Sequence, residues 1–550
     1  MKLSSTQIFL FSLFTLLGFD KALAQCSPVA TAQFDVNNSV AYLLQGGLLW
    51  KNDNYAGFIA PKNNITQVAS IFSGSIWLAG LDPGGNLKLA APTYGNPTAV
   101  NAGPMIGGAT DPAVCENFNR FWPITQASIN AHLNDFADNG SIDNIEVTVI
   151  GWPGRGNPDF ETIYGFALPD IELAPFVDLN GNGIYEPLLG EYPDIKGEEA
   201  IWWVFNYSQG IPITMSVLAY GYSSNDEVVD NTTFYEMKFT NDGSEKIDST
   251  FIGLWLDPDI GCYTDDYVGC LPEHNLAFAY NQDVQDGEVG CLCSGGVPTY
   301  CEEIPVLGIK ILKGATGGFG EDLGLSRFIY YNYPFTGNPA SPLALTDPNT
   351  AIEYYHILNG KWKDGTPLTT GGDGYDSVGV ETFFAMAGNP ANLDDWTMCS
   401  ENLDSYDPRM VMSSGPFSIG PGEANSFSFA LIWLPNQNYP CPDVTPLIDA
   451  GDVAQDIFEG LTSSHETPGS NIVATASPNP FSSDVTIKVS GNAVFQGLEL
   501  YAVDGKLVRS FKNLESNKVT ISRNDLSPGM YFYKALLKNG GMVSGKLVAR

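Results

Sequence analysis

The sequence predicts a mainly β, multi-domain protein, with a β-sandwich-like body carrying a few short helices and a smaller C-terminal β-sandwich. Three observations carry that expectation. A length of 550 residues is too great for one hydrophobic core. Apolar residues at 44% and aromatics at 12% suffice for packed interiors and exclude global disorder. Charged residues reach only 16%, while 58 Gly and 36 Pro punctuate the chain, as in many short strands joined by tight turns.

Along the chain, Lys2, the apolar run Ile8 to Gly18 and Ala22-Leu23-Ala24 read as a signal peptide over residues 1–24. The apolar run is about half the ~20 residues a membrane-spanning helix needs, so no transmembrane segment is expected. A β-rich region is expected over 25–225. In it, "SIFSGSIWLAGLDPGGNLKLAAPTYG" reads as two strands around a turn. Ile129, His132, Leu133 and Phe136 recur at helical spacing behind a capping Thr125, predicting a helix from Thr125 to Phe136. Strands are expected in "AIWWVFNYS" and "ITMSVLAYGYS". A second β-sandwich-like region is expected over 226–462, with strands around Asn241-Asp242-Gly243, further strands from Phe417 to Leu434, and a helix from Pro446 to Phe458. Residues 463–473 read as a polar linker.

Charge divides the chain unevenly. There are 26 basic against 62 acidic residues, a formal charge of −36, so nucleic acid and anionic lipid are not expected partners. From Asn471 to Arg550 the balance inverts to ten Lys/Arg and five Asp/Glu, which marks residues 474–550 as a separate module. Alternation at Val485, Ile487 and Val489, with hairpin turns at Asp504-Gly505 and near Asn539-Gly540-Gly541, makes that module all-β.

The module's landmarks, "SPNPF" (477–481), "LYAVDGKLV" (500–508), "LSPGMYFYK" (526–534) and the closing "GKLVAR", resemble the type A C-terminal sorting domain of type IX secretion cargo in Bacteroidota. The resemblance implies an Ig-like β-sandwich, with the secretion machinery as partner of residues 474–550 and a cell-surface or extracellular destination. The body, through "NNSVAYLLQGGLLW", "FVDLNGNGIYEP", "GLWLDPDIGCYTDDYVGC" and "GKWKDGTPLTTGGDGY", is similar to a group of large exported proteins of the same route that carry no assigned activity.

Oxygen-rich loops supply the site candidates. In "DLNGNGIYEP", Asp178, Asn180 and Asn182 take positions 1, 3 and 5 of a calcium-type loop, Gly183 allows the turn, Ile184 offers its carbonyl and Glu186 sits at position 9. Position 12 is Leu189 where a carboxylate belongs, and Glu191 or Asp194 is the replacement considered. Pro175 and Pro187 argue against flanking helices. Asp257, Asp259, Asp265 and Asp266 form a second candidate calcium group, since like charges ~5 Å apart repel by about 1 kcal/mol even in water. "GGDGYD" at 371–376 is a third, weaker one. Calcium is therefore the expected, structural cofactor, set against the bland reading of solvated turn tips.

Nine cysteines (26, 115, 262, 270, 291, 293, 301, 399, 441) in an exported chain predict disulfides rather than zinc, with Cys291 and Cys293 not bonded to each other. Cys26 is left free, bridged or lipidated. Four histidines fall in no metalloprotease motif, and no GxSxG, P-loop or dinucleotide fingerprint is present. Trp202-Trp203 is weighed as a sugar platform against core, with at least one Trp expected in the core. The expected function is a calcium-stabilised, non-catalytic surface or secreted protein in adhesion or structure, with a surface glycan or matrix as the partner considered. A carbohydrate-binding protein and a secreted glycosidase or peptidase are the alternatives.

Overall fold

A computed structural model describes residues 28–95, 100–333, 342–375, 378–460, 474–477, 481–489, 493–502, 507–523, 526–527, 529–538 and 542–549. The expected signal peptide, Cys26, the 463–473 linker, the "PNP" of 478–480 and the turns at 504–505 and 539–541 lie outside the described residues.

Two large antiparallel sheets build the body. The first runs Thr31–Phe34, Val40–Leu44, Leu48–Leu49, Ala69–Leu81, Ile247–Pro258, Pro408–Ile419, Arg327–Asn332. The second runs Trp122–Thr125, Glu199–Asn206, Ile213–Gly221, Thr232–Asn241, Ala424–Leu434, Val306–Lys313, Leu276–Asn281, Asp266–Leu271. Each sheet draws strands from both sides of residue 225: Ala69–Leu81 pairs with Ile247–Pro258, and Ile213–Gly221 with Thr232–Asn241. One core extends from Phe34 to Ile457. The expected division at 225/226 is therefore not a division of the core, because local turn signals say nothing about which distant strand a segment will pair with. The Asn241–Gly243 loop instead carries the chain from the second sheet to the first.

Inward–outward alternation is absent from the middle of the first sheet. Ala69–Leu81 and Ile247–Pro258 are buried at nearly every position, because their sheet is covered on its outer face too. The helix Ala351–Leu358 lies there, with Tyr354 edge-on to Trp77 at 4.9 Å. The helix Thr445–Phe458 covers the second sheet, where a Cβ at Gly308 would meet Leu447 at 2.3 Å. The expected helix at Thr125 is present as Gln126–Asn139, with the Thr125 hydroxyl accepting from the Ser128 N–H.

Residues 474–549 have their own core, from Phe481 to Ala549, with Val485, Ile487 and Val489 on its inner face as expected. Two small antiparallel sheets enclose it, one of Ala474–Ser477, Asp484–Val489 and Lys518–Ser522 and the other of Leu507–Ser516, Phe495–Ala502, Gly529–Leu537 and Met542–Ala549.

Candidate cation sites

The Asp178 loop joins the short strand Phe176–Val177 to a 3-10 turn, Pro187–Leu189, without flanking helices. Asp178 organises it: Oδ1 accepts the Gly181 and Asn182 N–H groups at 2.7 and 3.3 Å, and Oδ2 accepts Gly183 N–H at 2.7 Å. These bonds, the Gly183 one foremost, hold the Asp178 carboxyl below its usual range. Gly181 and Gly183 take φ of +76° and +73°, the left-handed region that the turn requires. The side-chain amides of Asn180 and Asn182 both reach Glu186 Oε2, at 2.9 and 2.7 Å, so three of the expected ligands meet at one point. Their Oδ1 atoms accept backbone N–H from Asn182 and Ile184. Leu189 is exposed. Glu191, fully buried, accepts Leu179 N–H at 3.0 Å and Glu186 N–H at 2.8 Å, so it braces the loop from inside with both oxygens occupied. Asp194 is exposed.

The four carboxylates of the second candidate do not gather in one group. Asp257 and Asp259 meet Asp407, which sequence reasoning missed, with one oxygen of each within 4.8 Å of the others and all three buried. The register Leu256↔Met410 sets the end of one strand beside the start of the next. Arg409 then donates to Asp257 Oδ2 at 3.2 Å and pairs with Asp407 Oδ1 at 2.8 Å. Lys51, also buried, feels Asp257 and Asp259, and burial pushes its ammonium down to about 8. Two internal cations thus already serve this group. Burial and the neighbouring carboxylates raise Asp259 well above its usual range.

Asp265 and Asp266 fall in another group, with Asp286. Asp266 Oδ2 accepts Ile260 N–H at 2.9 Å, Asp265 Oδ2 accepts Gly287 N–H at 2.7 Å, and Asp286 Oδ1 accepts Cys262 N–H at 2.8 Å. Burial pushes Asp265 and Asp286 up to about 7, and burial with the neighbouring Asp265 charge raises Asp266 well above its usual range. In "GGDGYD", Asp373 Oδ1 accepts Tyr375 N–H at 2.9 Å, while Asp376 lies outside the described residues.

Disulfides join Cys262–Cys293, Cys291–Cys301 and Cys399–Cys441, Cys115 is also disulfide-bonded, and Cys270 is a buried free thiol. The pairing agrees with the expectation for Cys291 and Cys293. Trp202 and Trp203 are both fully buried, so neither is a sugar platform. His132 is a core residue, Nε2 3.1 Å from the Glu191 carbonyl, and His356 Nδ1 lies 3.0 Å from the Lys363 carbonyl. Two surface cavities, of about 150 and 420 Å³, contain no histidine among their lining residues.

The family model described as "Secretion system C-terminal sorting domain" matches residues 476–550. No curated protein matches the chain. Among solved structures, a polysaccharide lyase is similar at 9% identity and a TM-score of 0.19, covering 71% of this chain and 41% of its own. Dimeric latent PorU from Porphyromonas gingivalis is similar at 10% identity and a TM-score of 0.13, covering 64% of this chain and 31% of its own. This chain thus spans less than half of either neighbour, and scores this low carry nothing about its fold or activity.

Proposed function

We propose that this type IX secretion cargo, exported to the cell surface or beyond through its C-terminal sorting domain, is a non-catalytic β-scaffold stiffened by calcium, serving adhesion or structure. The observation that supports it is the meeting of Asn180, Asn182 and Glu186 in a loop that Asp178 and Glu191 hold in shape. A hard dication takes six to eight oxygens, and backbone carbonyls and water complete what side chains leave open. Disulfides add a second set of cross-links suited to an oxidising medium.

Calorimetric titration of the intact protein with calcium tests the reading. Asp178→Ala should lose one bound ion and, in calcium, expose the 178–191 segment to limited proteolysis as chelation does in the parent. Equal calcium binding by parent and variant would remove the loop from the account. Clear turnover of polysaccharides or peptides would remove the non-catalytic assignment.

A further inference from the structure

Asp266 opens the edge strand of the second sheet, and its direct partner across the antiparallel pair is Asn281. Direct partners project from the same sheet face. Gln282 N–H donates to the Asp265 carbonyl at 2.6 Å, which ties the segment before the strand to the end of its neighbour. Asp266 and Asn281 are fully buried and Asp265 is 8% exposed. In each, Oδ1 has no hydrogen-bond partner among the described residues. The other terminal atoms are taken: those of Asp266 and Asp265 by backbone N–H groups, and Asn281 Nδ2 by the Asp283 carbonyl at 3.2 Å.

Asp286 fixes this arrangement. It is fully buried and its carboxylate accepts the Cys262 and Tyr300 N–H groups, while a Cβ at Gly261 would strike it. The disulfides Cys262–Cys293 and Cys291–Cys301 fasten together the two segments that supply these N–H groups.

The charge environment separates this group from the Asp257–Asp259–Asp407 one. There, Arg409 and Lys51 provide positive charge. Here the charges acting on Asp266 are those of Asp265, Asp259 and Asp286, and those on Asp265 are Asp283 and Glu288. A buried acceptor left unpaired is costly, and an unpaired charge more so. Three such acceptors fall here on residues that the strand register and the Gln282–Asp265 bond make neighbours. A proton serves one oxygen at a time, whereas a divalent ion neutralises two carboxylates and contacts all three oxygens together.

We propose that Asp265, Asp266 and Asn281 are ligands of a second, interior calcium-type dication that seals the disulfide-tied segment 259–301 against the edge of the second sheet. This site stands on its own observations and does not depend on the Asp178 loop.

Native mass spectrometry and calcium-dependent melting of the intact protein test it, with calcium alone as the probe. Asp178→Ala removes the surface loop, and that variant should still bind one calcium per chain with an upward shift in melting temperature. Asp266→Asn should bind one ion fewer than the parent and lose most of the interior site's shift, and Asp265→Asn should do the same. If Asp178→Ala binds no calcium while the parent binds one, the interior site is overturned and the loop retained. If the parent binds two and Asp178→Ala one, loss of the remaining ion in Asp265→Asn assigns it to the interior site even where Asp266→Asn does not fold, and its retention there overturns the proposal. If Asp266→Asn melts higher than the parent in calcium and in chelator alike, with unchanged stoichiometry, the carboxylate is merely an unpaired buried charge and the proposal fails.

Discussion

Trp50 donates its indole N–H to the Tyr235 hydroxyl at 2.8 Å, in an interior where both side chains are buried. Tyr235 belongs to the second sheet, and Trp50 follows directly on Leu48–Leu49 of the first, so the bond ties the sheets through the core. Tyr235→Phe keeps the 5.0 Å stack on Phe429 but leaves the indole N–H unpaired. The expected cost is about 1–3 kcal/mol. A urea melt should show a lower midpoint with an unchanged slope, and an unmoved midpoint would mean that the indole has another acceptor.

Arg409 is the hub of the Asp257–Asp259–Asp407 group, donating also to the Tyr94 hydroxyl at 2.7 Å. Arg409→Met keeps much of the apolar stem and strands Asp257 and Asp407 without their cation. Removing one partner of a buried ion pair costs about 3–5 kcal/mol, so a fall of that size is expected in chemical denaturation. A loss below about 1 kcal/mol would show that Lys51, or a bound cation, carries the neutralisation.

Asp407 makes stability depend on pH. Burial, reinforced by the Asp257 charge, pushes its carboxyl up to about 7 despite Arg409. An unfolded aspartate titrates near ~3.9. Between those values the folded chain keeps a proton that the unfolded chain has released, so this contribution to stability falls as pH rises from about 4 to about 7 and is level above. One such proton gives a slope of up to about 1.4 kcal/mol per pH unit. Guanidinium melts of the parent and Asp407→Asn across that range should lie closest near pH 4 and separate toward neutral pH, the parent falling relative to the variant. Parallel curves would place the titration elsewhere.

How much was legible in the sequence follows from how local each signal is. The hairpin of Ala69–Leu81 with Leu87–Ala90 was readable because its turn residues sit between its strands, and the Thr125 cap marked its helix for the same reason. The covering helix Ala351–Leu358 was missed: its eight residues make only about two turns, too few for the apolar spacing to declare a period. Alternation is absent from Ala69–Leu81 because a strand covered on both faces is buried at nearly every position, its serines included. In the Asp178 loop Asn180, Asn182 and Glu186 meet, while Asp178 turns to backbone N–H groups and Glu191 braces the loop from inside, an arrangement that depends on packing that spacing cannot report. Asp407 joined Asp257 from far along the chain, and only the Asp407-x-Arg409 spacing hinted at an ion pair. Asn281 carried no charge to attract notice, and only strand register places it opposite Asp266.

The interleaving of the two large sheets sets the order in which the body can form. Ile247–Pro258 is held between Ala69–Leu81 and Pro408–Ile419, so the first sheet has its middle only when the chain has emerged beyond residue 419. Contacts of such separation are closed late and slowly, because loop entropy is lost before any pairing rewards it. A chain stopped short of that last strand leaves Ile247–Pro258 with an open edge in place of its partner.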